Sequence, residues 1–153
     1  MNRNAIKFLQ GVIVLIGLGA LALMLWEPHL EGRNAHATLV QIYFNDPFLA
    51  YAYFASIAFF VALFQAFKLL NYVQQNTVYS QHAVNAVKTI KYCTRMLVSF
   101  IVLPVAYLFI ARPDDDIAGG VAIGLFLIVV FSIIAVVSAM VEKRLKKDYG
   151  IEI

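Results

Sequence analysis

Four times along the chain, charge disappears for long enough to cross a bilayer, and that spacing limits the fold more than any other feature. The uncharged runs are Phe8 to Trp26, Phe48 to Phe67, Met96 to Ala111 and Ile117 to Val141. A helix rises about 1.5 Å per residue, so about 20 such residues span the hydrocarbon core. The third run is short alone and reaches spanning length if Thr94 joins it and Arg95 snorkels to the interface. Composition agrees: 62% of the 153 residues are hydrophobic and 14% charged, against about 25% charged in a typical globular domain. Hence the expected fold is all-α, a single membrane domain over residues 1–153. Its four transmembrane helices form a bundle, with spans at about residues 8–26, 48–70, 94–111 and 117–141.

The first run also invites a signal-peptide reading, since Arg3 and Lys7 precede it and Ala35-His36-Ala37 resembles a cleavage site. The run is longer than the usual apolar region of about 7–15 residues, and the tripeptide lies well beyond it. An uncleaved first span is therefore expected. Orientation follows from Lys and Arg close to the span ends. Arg3 and Lys7 at the amino end, then Lys68, Lys88, Lys91 and Arg95 around the second loop, come without acids. Lys143, Arg144, Lys146 and Lys147 follow the fourth run. Between them, Arg33 meets Glu27, Glu31 and Asp46, and Arg112 meets Asp114, Asp115 and Asp116. This alternation places both termini in the cytoplasm. Trp26, Tyr43 and Phe44 then mark the outer interface, and Tyr72 and Tyr92 the inner one. The single cysteine, Cys93, cannot form an internal disulfide and is expected as a small inert residue at a helix end.

Lipid is as apolar as leucine, so membrane helices associate through close packing and polar contacts. Ala58, Ala62 and Ala66 form one small-residue stripe; Gly120 and Gly124 form a GxxxG pair continued by Ser132, Ala135 and Ala139. Packing within the chain is expected, and a homo-oligomer is the alternative use of the same stripes. Pro104 lies mid-span, where its missing N–H and its ring disturb the carbonyl of Phe100, so a kink is expected there.

The second loop carries its own pattern. From Ser80, a plausible N-cap, Val84, Val87 and Ile90 fall roughly on one face, which predicts a helical cytoplasmic extension running into span three. Lys88, Lys91 and Arg95 give it a positive surface for anionic headgroups or an acidic protein partner. The competing reading is that these cations only enforce topology.

Chemistry is harder to find. The four uncharged runs hold no Asp, Glu, Lys, Arg or His of the kind that marks ion paths or proton relays. No HExxH, CxxC, P-loop or GxSxG occurs, so no catalytic residue, cofactor or direct nucleic-acid contact is expected, and the chain does not read as an enzyme. Asp114, Asp115 and Asp116 suit a hard cation by type, but adjacent carboxylates do not converge on one ion. Helix capping and solvation are the preferred reading, with no metal site. Phe54, Phe59, Phe60, Phe64 and Phe67 suggest, as an alternative, a lipid- or small-molecule-binding bundle with a cavity near Pro104. A subunit of a membrane transport complex is another.

VIVLIGLGALAL in span one, IYFNDPFLAYAYFASIAFFVALFQAFKLL through span two and NTVYSQHAVNAVKTIKYC after it resemble the bacterial integral membrane proteins of domain-of-unknown-function family 2975. The stretch from Phe64 to Cys93 is the most specific part. The resemblance implies four spans in the bacterial cytoplasmic membrane and supplies no catalytic residues. Some family members are encoded beside a small helix-turn-helix regulator, which implies a regulatory or accessory role at the membrane.

Overall fold

The computed structural model describes residues 2–30, 47–111 and 118–150. They form four helices: α1 (Arg3–Leu30), α2 (Pro47–Gln74), α3 (Gln81–Ala111) and α4 (Ala118–Tyr149). At 28 to 32 residues each, they run to about 42–48 Å, longer than a hydrocarbon core of about 30 Å. Each is long and apolar enough to cross a membrane. Exposed leucines, isoleucines, valines and phenylalanines cover their outer faces, including Leu15, Leu23, Ile57, Leu103, Phe126 and Ile133. A helix apolar on all sides is stable only where the solvent is apolar too.

The helices pack antiparallel in chain order, with α3 against α4 the broadest interface, then α2 against α3, then α1 against α2. Polar contacts fix the last of these at both ends. Gln10 Nε2 donates to Asn71 Oδ1 at 2.8 Å, and Tyr53 Oη donates to the carbonyl of Met24. The amino end of α1 thus sits beside the carboxyl end of α2. Arg3, Lys7, Lys68, Lys88 and the cations of late α4 all gather at one end of the bundle, called the basic end below.

Tight burial is concentrated there. Ala83, Val84, Val87 and Leu145 form the core, flanked by Leu69, Tyr72, Val78 and Val141. The physical reason is the solvent. Outside the hydrocarbon, water drives these side chains together; inside it, lipid competes with protein on equal terms and faces stay open. In the most apolar stretch of α1 no residue is buried at all.

The turn between α2 and α3 is fully built from local signals. Asn76 takes a positive φ of 55°. Its N–H bonds the carbonyl of Val73 at 3.2 Å and that of Thr77 bonds Tyr72 at 2.9 Å. This is a Schellman end, with asparagine in the left-handed position usually given to glycine. Ser80 then caps α3: its Oγ accepts from the N–H of Ala83 at 3.3 Å, and its carbonyl accepts the first helical bond, from Val84, at 3.1 Å. The expected helical extension is therefore continuous with span three, as one helix from Gln81 to Ala111.

Pro104 lies inside α3, which remains helical on both sides of it. The carbonyl that the proline deprives of its usual donor is that of Phe100. Tyr51 Oη on α2 supplies a replacement at 2.8 Å, and the two rings meet edge to face at 5.3 Å. A helix-breaking residue is thus accommodated by a neighbouring helix, which is how apolar surroundings tolerate proline.

Candidate functional site

The basic end contains a buried ion cluster. Glu142 lies at the point where the apolar run of α4 stops, and it is 5% exposed. One carboxylate oxygen accepts from Lys91 Nζ of α3, and the other from Lys146 Nζ at 2.8 Å. The Lys91 and Glu142 side chains are 14% and 7% exposed, whereas Lys146 is 31% exposed. Lys146 stands one turn beyond Glu142 on the same helix, a spacing that lets the two meet. Lys91 comes from a different helix and clasps α3 to α4. Its ammonium also sits 5.0 Å from the Tyr92 ring centroid.

This arrangement reassigns Lys91. The sequence places it with Lys88 and Arg95 on an interaction surface, but it points inward because it continues the face of Val84 and Val87 at helical spacing. Lys88 and Arg95 are exposed, as are Lys143, Arg144 and Lys147 on α4; Asp148 is the exposed acid beside them. Among the described residues, none of these five cations is paired with a carboxylate. A groove of about 310 Å³ opens between α3 and α4, lined by Arg95 of α3 and by Ala135, Val136, Ala139, Met140 and Lys143 of α4.

Other residues singled out by pattern fall as follows. Gly124 is buried, and a Cβ there would come within 2.5 Å of Val105 Cγ2 and 3.8 Å of Ile101 Cγ2 on α3. Gly120, its partner in the GxxxG pair, is exposed, so only Gly124 is buried in the helix pairing. Ala58, Ala62 and Ala66 are half-buried along α2. The α2 phenylalanines divide: Phe54 and Phe64 are largely exposed, Phe54 meets Phe100 at 5.7 Å, and Phe59 meets Phe60 and Phe131 at 5.4 and 6.3 Å. These are ring-packing contacts. Lys68 sits 4.6 Å over the Phe64 ring. Thr94 and Ser99 return their hydroxyls to carbonyls of their own helix. Cys93 is a free, buried thiol.

Asp114, Asp115 and Asp116 lie outside the described residues, as do Arg33, His36, Asp46 and Arg112. Among the described residues no three metal-ligating side chains converge. Glu142 is what sequence reasoning missed. It looks like a minor acid in a basic tail, and only its spacing to Lys146 and its place at the end of an apolar run hinted at burial.

The family model described as a protein of unknown function, DUF2975, matches residues 33–148. The chain belongs to this family. The uncharacterized membrane protein YoaS of Bacillus subtilis (strain 168) is 35% identical over 153 residues, which covers 99% of this chain and 96% of that one. No solved structure matches. The DUF2975 match takes in α2, α3 and α4 up to Asp148, and with them Lys91, Glu142, Lys146, Arg95 and Lys143. All of α1, the helix that packs on α2 alone among the broad interfaces, precedes it.

Proposed function

We propose that this DUF2975 protein is a non-enzymatic accessory or regulatory protein of the bacterial cytoplasmic membrane. Both termini face the cytoplasm, and it acts by docking an acidic protein partner on its basic end. One observation carries the reading. Five exposed cations with no carboxylate partner among the described residues (Lys88, Arg95, Lys143, Arg144 and Lys147) stand on the best-packed part of the molecule, while the four uncharged runs hold no Asp, Glu, Lys, Arg or His. A charged surface on a rigid support suits recognition, since complementary charge steers encounter and fixes register. The excess of Lys and Arg at that end supports a cytoplasmic placement. The internal clasp of Lys91, Glu142 and Lys146 keeps the ends of α3 and α4 together, so Lys88 and the α4 cations are presented as one surface.

A photoreactive residue in place of Lys88, irradiated in native membranes, tests the reading. The expected result is a discrete protein adduct that weakens when Arg144 and Lys147 are both changed to Gln. Adducts to lipid alone would sink it.

A further inference from the structure

We propose that the groove between α3 and α4 seats one anionic glycerophospholipid from the surrounding bilayer, with its phosphate between Arg95 and Lys143. The groove is amphipathic along its length. Ala135, Ala139 and Lys143 follow one another at four-residue spacing, so the floor runs about 12 Å along α4 from apolar alanine to an ammonium. Val136 and Met140, 59% and 54% exposed, form one wall, and Arg95 lines the groove from α3. The Lys91–Glu142 contact sets the level of the two helices. Arg95 lies one turn from it toward the apolar run of α3, and Lys143 directly follows Glu142.

The groove therefore straddles the depth at which hydrocarbon gives way to headgroups. Glu142, the adjacent acid, is consumed by Lys91 and Lys146, so neither Arg95 nor Lys143 has a carboxylate partner among the described residues. An occupant must bring an anionic head to two cations and an apolar body to two alanines, at a depth reached from the bilayer. A glycerophospholipid has that form, and a guanidinium with an ammonium is a strong phosphate-binding pair. Juxtamembrane cations are worth roughly 1 kcal/mol each toward anionic lipid, or about fivefold in affinity. The groove shares Arg95 and Lys143 with the docking surface proposed above, whereas Lys88, Arg144 and Lys147 lie outside its lining and report on protein docking alone.

Native mass spectrometry of the full chain, titrated with phosphatidylglycerol or phosphatidylcholine, tests it. The expected result is one tightly retained phosphatidylglycerol and no comparable retention of phosphatidylcholine. Arg95→Gln and Lys143→Gln each weaken retention by about fivefold. Ala139→Phe, which fills the floor and keeps both charges, weakens it as well, while Lys88→Gln leaves it unchanged. Far-UV circular dichroism confirms that each variant is folded; Arg95 and Lys143 are exposed, so their variants keep the readout if Ala139→Phe misfolds. Equal retention of both lipids would overturn the proposal. So would wild-type retention in the Arg95→Gln, Lys143→Gln double variant, or an equal loss in Lys88→Gln, which indicates diffuse attraction. A lipid-free dimer in the same spectrum would show that a second copy fills the groove instead.

Discussion

Removing the charge of Glu142 should open the basic end. In Glu142→Gln the volume is kept, but Lys91, 14% exposed, loses its only carboxylate among the described residues. Breaking a buried pair from one side costs about 3–5 kcal/mol, because the remaining charge is left without compensation. Lys91 retains some access to water and its contact with Tyr92, which argues for the lower bound, about 3 kcal/mol. Lys146, at 31% exposed, contributes on the scale of a surface i,i+4 pair, about 0.3–0.5 kcal/mol. Cys93 is a built-in reporter: it is the single cysteine of the chain, it is buried, and it lies two residues from Lys91. Its rate of maleimide labelling in detergent micelles follows the population of the opened end. A loss of about 3 kcal/mol raises that rate by roughly 100-fold, since each 1.4 kcal/mol is a factor of ten. Lys146→Ala should raise it by only about twofold. The double variant Lys91→Met, Glu142→Leu, which replaces the pair by apolar side chains of similar size, should label close to the wild-type rate. A wild-type rate in Glu142→Gln would refute the clasp. So would a double variant as labile as the single one, because the effect would then not arise from a stranded charge.

Two further variants probe the helix contacts. Tyr51→Phe leaves the Phe100 carbonyl without its donor and should cost about 1–2 kcal/mol in a detergent unfolding titration. In a Pro104→Ala background the backbone N–H returns and the cost should largely vanish; an unchanged cost would show that the tyrosine acts in another way. Gly124→Ala drives a methyl group into Val105 and should destabilise by about 1–3 kcal/mol, with recovery when Val105 is changed to Ala. Gly120→Ala, at an exposed site, should be neutral by the same assay, and equal losses at the two glycines would contradict the packing.

Much of the fold can be read from the sequence, because a span is a one-dimensional signal: length without charge. The α2–α3 turn is equally local, with Ser80 a recognisable cap and Asn76 suited to the left-handed end of a helix. The rest depends on facts that composition does not contain. Charge counting treats Lys91 as one more loop cation, yet its helical phase aligns it with Val84 and Val87, and its acid lies 51 residues away. GxxxG marks a close approach without saying that Gly124 makes it and Gly120 stays exposed. Pro104 points to a disturbed carbonyl at Phe100, but not to Tyr51 as the group that restores it. The groove between Arg95 and Lys143 exists only once α3 and α4 are in register.

The protein docking proposed for the basic end requires that it face the cytoplasm, and the sidedness of single cysteines measures this directly. In a Cys93→Ser background, Thr77→Cys and Lys147→Cys mark the basic end, and Asn34→Cys marks the segment between α1 and α2. Intact cells are treated with a membrane-impermeant maleimide. The account predicts labelling at Asn34→Cys at once, and at Thr77→Cys and Lys147→Cys only after the membrane is permeabilised. Labelling of Thr77→Cys in intact cells would contradict it.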